Sequence, residues 1–142
     1  MRIFDSDHLS FLQTRQGPRF ESLVKHLSYH PPSAFFVTII SFHEQVNGWV
    51  KLIAHTKDEA DLVRGHTELK HVLSTFAESQ VLAFNKSATV VYSELRRNCI
   101  RVGAMGLRIA TIAIANRMTL LTRNSVDFER VPNPLIDDRI SP

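Results

Sequence analysis

The segment Arg2-Ile3-Phe4-Asp5 joins an apolar run to an acidic residue, and Asp7 follows two positions later. A second junction of this kind lies at 119–128, where an apolar pair precedes Asn124 and Asp127. Both predict short β-strands whose carboxyl ends deliver acidic or amide side chains into the turn before a helix. In an open α/β sheet, ligands bind outside the carboxyl ends of the strands, so several carboxylates are expected to meet at one edge. Such a cluster is how proteins hold Mg²⁺ or Mn²⁺.

Length and composition restrict the class of protein. The chain has 142 residues, of which 44% are apolar, and this suits a single domain over 1–142 and is too low for a membrane protein. No stretch approaches the ~18 apolar residues of a spanning helix, and the amino terminus has no apolar segment of the secretory type. The single cysteine, Cys99, excludes an internal disulfide, favours a small buried residue, and fits a reducing cytoplasm. The 17 basic against 14 acidic residues give a pI near 9.4, which is compatible with a polyanion partner without identifying one.

Apolar periodicity predicts strands that alternate with helices. Strands are predicted at 1–5, 35–40, 81–83 and 119–122, with a last edge strand at 135–136. Helices are predicted at 6–14, 19–29, 42–54, 57–77, around 88–98 and at 107–116, with a further helical turn at 125–129. The helix at 107–116 is apolar on nearly every face and is expected to be buried. Because strands separated by helices call for right-handed crossovers, the expected fold is an α/β/α sandwich of three layers around a mostly parallel central sheet.

Several positions are candidates for metal ligation, and each has a purely structural alternative. Asp5 ends the first strand, where it can ligate a metal or cap the following helix. Glu44 lies one helical turn after the second strand, and its spacing from Ser41 is also that of a capping box. Asn124 and Asp127 can serve a metal or form an Asx-turn and an N-cap.

The remaining polar signals are weaker. Thr122 can donate its hydroxyl to a ligand, although a threonine in a strand needs no such role. The seven histidines have no metal-binding spacing and are expected on the surface. No glycine-rich phosphate loop is present, and this disfavours a flavodoxin-like domain that binds a small ligand.

Four segments of the sequence occur in a characteristic order: FDSDHLS at 4–10, TIISFHEQ at 38–45, RVGAMGLRIA at 101–110 and LTRNSVDFERVP at 121–132. Together they resemble a PIN domain of the VapC type, the toxin of a bacterial toxin–antitoxin pair, over nearly the whole chain. The resemblance implies a small endoribonuclease that depends on Mg²⁺ or Mn²⁺ and acts on RNA. It also implies a homodimer and a cognate antitoxin protein that inserts a peptide near the active site.

The resemblance assigns roles to individual residues. The catalytic residues and metal ligands that it implies are Asp5, Glu44 and Asp127, with Asn124 as the alternative ligand in the last turn. The residues that it places beside the substrate are Thr122, Arg123 and Asn124.

Position 106 departs from the family pattern. The family carries an aspartate between the residues that correspond to Met105 and Leu107, and this chain has Gly106. One charge beside a divalent ion is worth about 8 kcal/mol before desolvation, at an effective dielectric of roughly 20 and a separation of about 4 Å. The glycine is either a natural variant or an inactivating substitution. Two functions follow: an endoribonuclease toxin with impaired activity, or an inactive PIN-like module that binds antitoxin or RNA.

Overall fold

The computed structural model describes residues 1–14, 16–98, 104–122 and 135–137. Its strands are β1 (Arg2–Phe4), β2 (Phe35–Thr38), β3 (Val81–Leu82), β4 (Thr119–Leu121) and β5 (Leu135–Asp137). Its helices are α1 (Ser6–Thr14), α2 (Pro18–Leu27), α3 (Ile39–His55), α4 (Glu59–Ala77), α5 (Lys86–Arg97) and α6 (Ala104–Asn116). The predicted alternation of strands and helices is confirmed over these ranges.

The five strands form one sheet in the order β3-β2-β1-β4-β5, and every neighbouring pair is parallel. The strand predicted near 135 is present and lies at the edge of the sheet. Because all strands run the same way, the carboxyl ends of β2, β1 and β4 meet at one edge. The end of β1 lies in the middle of that edge.

Two hydrophobic clusters cover the two faces of the sheet. Alternate residues of a strand point to opposite faces, so Ile3 joins one cluster and Phe4 joins the other. The Ile3 cluster includes Leu95 of α5 and Ile112 of α6, whereas the Phe4 cluster includes Leu23 of α2 and residues of α1 and α4. Helices therefore lie on both faces, which confirms the predicted α/β/α sandwich.

Helix α3 begins earlier than the sequence predicts. The apolar run at 35–40 suggests one strand, but the strand ends at Thr38, and Ile39 and Ile40 belong to the helix. Thr38 is the N-cap, and its Oγ1 accepts a hydrogen bond from the backbone N–H of Ser41. The predicted start at residue 42 was wrong because Ile40 lies in the first helical turn and packs into the core. A buried apolar residue in a helix cannot be distinguished by sequence from one in a buried strand.

Helix α6 also begins earlier, at Ala104 instead of 107, so that Gly106 lies in its first turn. The prediction that this helix is buried is confirmed, since Leu107, Ile109, Ala110 and Ile112 are all buried. Within the described ranges, no helix has both the length and the apolar character needed to cross a membrane.

Candidate metal site

Asp5 ends β1 and caps helix α1. Its backbone N–H donates to the carbonyl oxygen of Leu121 at 3.1 Å, which extends the pairing of β1 with β4 by one residue. Its carbonyl oxygen accepts from the N–H of Leu9 at 3.0 Å, and its Oδ1 accepts from the N–H of His8 at 2.8 Å. These are the contacts of an N-cap residue. The capping alternative is therefore confirmed for Asp5, whereas Asp7 lies inside the helix.

Asp5 shares its row of the sheet with polar residues of the neighbouring strands. The registers Ile3↔Phe36 and Phe4↔Leu121, continued along the chain, bring Thr38 and Thr122 to the two sides of Asp5. Neighbouring strands are about 4.8 Å apart, so the three residues form a short polar row across the edge. Thr38 and Thr122 are fully buried, and Asp5 is 7% exposed.

His8 is completely buried, which makes the expectation of surface histidines wrong at this position. Its Nδ1 lies 3.0 Å from Asp5 Oδ1. The same carboxylate oxygen therefore contacts both the backbone N–H and the imidazole of His8. The sequence did carry a signal. The third residue of a helix points back toward the N-cap, and a histidine three residues after a strand-end aspartate satisfies that spacing.

Ser6 connects the ends of β1 and β2. Its hydroxyl donates a hydrogen bond to Glu44 Oε1 at 2.9 Å and lies 3.2 Å from the hydroxyl of Ser41. Asp5 precedes Ser6 in the chain, so this hydrogen bond ties helix α3, which carries Glu44, to the end of β1, where Asp5 lies. Two of the three residues that the sequence assigns to a metal, Asp5 and Glu44, are thus linked through Ser6 at the carboxyl end of β1.

Glu44 does not form a capping box with Ser41. The N-cap of α3 is Thr38, and Ser41 lies in the first turn of the helix as a fully buried residue. Glu44 is half-buried, and its side chain extends toward helix α1 to meet Ser6. The capping-box interpretation was wrong because helix α3 begins three residues earlier than the spacing assumed.

The third candidate carboxylate, Asp127, lies outside the described residues. The same holds for Arg123 and Asn124, for Cys99, and for the helical turn predicted at 125–129. Gly106 is described. It lies in the first turn of α6, and helix α6 packs against α3, the helix that carries Glu44.

Asp5 and Glu44, linked through Ser6, carry the oxygen donors that suit a hard divalent cation. Mg²⁺ prefers oxygen ligands and is commonly bound by one or two carboxylates while it keeps several waters. Among the described residues, no group of three or more His, Cys, Asp or Glu side chains could hold a metal ion. This part of the chain therefore supplies a partial ligand set, and position 106 adds no side-chain donor to it.

Comparison with known proteins places this geometry in a recognised fold. No protein-family model and no curated protein matches the chain. Among solved structures, VapBC from nontypeable Haemophilus influenzae superposes with a TM-score of 0.77 at 16% identity and covers 99% of this chain and 98% of that chain.

Two further complexes agree over almost the same length. VapBC from Rickettsia felis, bound to a DNA fragment from its promoter, has a TM-score of 0.69 at 20% identity and covers 96% of this chain and 97% of that chain. DNA-bound VapBC from Salmonella typhimurium has a TM-score of 0.72 at 20% identity, with 96% of each chain covered. The chain has the PIN-domain fold of these VapC structures, and the resemblance seen in its sequence is confirmed at the level of the fold.

Proposed function

We propose that this chain is an endoribonuclease toxin of a type II toxin–antitoxin pair, dependent on Mg²⁺ or Mn²⁺ and impaired by Gly106. The observation that carries the proposal is the hydrogen bond from Ser6 to Glu44, which ties Glu44 to the carboxyl end of the central strand, directly after Asp5. In a sheet of this topology, that edge is where ligands bind. The PIN-domain fold makes a nuclease the reaction class that best suits a carboxylate pair at this place.

In the proposed mechanism, Asp5, Glu44 and Asp127 would hold the cation. When bound, the cation supplies an activated water and neutralises charge on the reacting phosphate. Ser6 would hold the Glu44 carboxylate by its hydrogen bond, and Asp5 would offer its carboxylate from the end of β1. The RNA contacts are assigned to Thr122, Arg123 and Asn124. An arginine at this place would bind phosphate groups of the RNA backbone and add affinity without sequence specificity.

Gly106 predicts that activity is low and that it can be restored. An aspartate in the first turn of α6 would add a fourth carboxylate to Asp5, Glu44 and Asp127, and negative charge is favoured near a helix N-terminus. The matched control is Gly106→Asn, because the asparagine side chain has almost the same shape as that of aspartate but carries no charge.

The experiment measures Mg²⁺-dependent cleavage of a structured RNA by the parent, Gly106→Asp and Gly106→Asn, together with growth toxicity. We expect Gly106→Asp to cleave at least about tenfold faster than the parent. A tenfold increase in rate requires the activation free energy to fall by only about 1.4 kcal/mol. Gly106→Asn should resemble the parent. If the aspartate adds neither cleavage nor toxicity, the role assigned to position 106 is wrong.

The proposed partner is a cognate antitoxin. The solved structures that share this fold include toxin–antitoxin complexes. In this chain, helices α1, α3 and α4 and strand β2 enclose a groove of about 1380 Å³ next to the Phe4 cluster. Leu9, Trp49 and Val72 lie in its lining among polar residues such as Gln13 and Glu68, a mixture that suits a peptide with a few apolar anchors.

Two observations test the partnership. A short reading frame directly upstream, with a DNA-binding start and a basic or aromatic tail, is expected beside the gene. Co-expression of that product should suppress the toxicity of Gly106→Asp, and light scattering should show whether the toxin is the proposed homodimer. Toxicity that persists in the presence of the upstream product would contradict the pairing.

The second candidate function is an inactive PIN-like module that binds antitoxin or RNA. Gly106 is the observation that favours it, because a site with fewer carboxylates loses catalysis before it loses the surfaces around it. The two candidates differ in the Gly106→Asp variant. An impaired enzyme regains cleavage, whereas a binding module retains antitoxin or RNA affinity and stays inactive.

A further inference from the structure

His8 holds one oxygen of the Asp5 carboxylate by two contacts. The backbone N–H of His8 donates to Oδ1 at 2.8 Å, and the imidazole Nδ1 lies 3.0 Å from the same oxygen. An ionised carboxylate only accepts hydrogen bonds, so Nδ1 carries the proton and donates. A carboxylate oxygen has about two lone-pair sites, and both sites of Oδ1 are thereby occupied.

The second oxygen of Asp5 is left for a ligand. Oδ2 makes no hydrogen bond with the described part of the chain, and the Asp5 side chain keeps 9% of its exposure. With Oδ1 saturated, the carboxylate cannot rotate without breaking one of two short contacts. A cation at this edge therefore meets a single fixed oxygen.

The other nitrogen of His8 shows that the residue is not placed for packing alone. Nε2, the ring atom that does not face Asp5, is buried without a hydrogen-bond partner in the described structure. A buried polar atom without a partner destabilises the fold, so an apolar side chain of similar size would serve packing better. The imidazole is the feature that reaches Asp5.

We propose that His8 is a positioning residue that saturates Asp5 Oδ1 and so presents Oδ2 as a single-oxygen ligand to a divalent cation. The inference rests on the proposed metal site and adds to it a residue of this chain outside the set of carboxylates. Groups that orient a metal ligand through a hydrogen bond commonly change metal affinity by about 10- to 100-fold when they are removed.

The test uses Mn²⁺ alone as the probe, with affinity measured by calorimetry on the full chain. His8→Leu removes the donor and keeps a similar volume, and His8→Asn places an amide N–H near the position of Nδ1. We expect His8→Leu to bind Mn²⁺ at least about tenfold more weakly and His8→Asn to recover most of the affinity. Metal-free thermal unfolding of each variant is measured alongside, so that a loss of stability is separated from a loss of metal affinity.

The outcomes separate the inference from the proposed function. If His8→Leu unfolds earlier but binds Mn²⁺ like the parent, the role is structural and the inference fails. If Asp5→Asn leaves Mn²⁺ binding unchanged, the metal site itself is wrong, and the proposed function fails with it.

A measurement on the metal-free parent covers the case in which His8→Leu does not fold. The ¹⁵N spectrum of the His8 ring should show the tautomer protonated at Nδ1, and Asp5→Asn should alter that signal. A ring protonated only at Nε2 could not donate to Asp5. That result would overturn the inference, regardless of the Mn²⁺ affinities measured for the variants.

Discussion

The hydroxyl of Ser6 donates to Glu44 Oε1 at 2.9 Å and so joins the first turn of α1 to the first half of α3 across 38 positions of sequence. The contact lies at the carboxyl ends of β1 and β2 and sets the distance between the Asp5 backbone and the Glu44 carboxylate. Both the proposed metal site and the stability of this edge depend on it.

Ser6→Ala should lower the free energy of unfolding by about 1 to 2 kcal/mol, because a partly buried hydrogen bond to a charged group is lost. Urea unfolding measures the change. The matched control is Ser10→Ala on the exposed side of the same helix, for which we expect a change within about 0.5 kcal/mol. Equal effects of the two substitutions would show that the contact contributes nothing.

Glu44→Gln should separate charge from structure. The amide oxygen can still accept from Ser6, so the free energy of unfolding should stay within about 0.5 kcal/mol of the parent. Mn²⁺ affinity should fall at least about tenfold, since a carboxylate ligand has become neutral. Glu94→Gln on the exposed face of α5 is the control, with no expected change in affinity. A Glu44→Gln variant that binds Mn²⁺ like the parent would exclude Glu44 as a ligand.

Thr38→Val and Ser41→Ala distinguish the observed cap of α3 from the capping box expected from the sequence. Thr38 Oγ1 accepts from the Ser41 N–H at 3.2 Å, and its loss should cost about 1 to 2 kcal/mol of unfolding free energy. Ser41→Ala removes only the 3.2 Å contact with Ser6 and should cost less. Chemical denaturation of both variants checks the order, and a larger loss for Ser41→Ala would contradict Thr38 as the cap.

The two glycines inside the α3–α4 pair should respond in opposite ways to alanine. A Cβ at Gly65 would lie 2.6 Å from Ile53 Cγ1, so Gly65→Ala should destabilise the protein by about 1 to 3 kcal/mol. A Cβ at Gly48 meets nothing within 4 Å, and Gly48→Ala should stabilise the protein by about 0.5 to 1 kcal/mol through helix propensity. Thermal unfolding of the pair tests the close approach of the two helices, and a stabilising Gly65→Ala would refute it.

Local pattern was enough to predict much of the fold. Strands of apolar residues between helices of period 3.6 predicted a parallel sheet with helices on both faces, and the five parallel strands confirm it. Asp5 was placed at a strand end because an apolar run stops there, and this also holds. These features depend on neighbours within a few positions, where hydrophobic burial and backbone geometry act together.

The sequence alone therefore determined the order of the elements and the place of Asp5 at the end of β1. Tertiary structure decided the rest of the site. Thr38 ends β2 and begins α3 because its buried hydroxyl reaches Ser41, His8 is buried because its ring reaches Asp5, and Glu44 meets Ser6 from 38 positions away. The local sequence around such a residue is the same whichever partner it contacts. Only the packing of elements that are distant in sequence determines which hydrogen bond it makes.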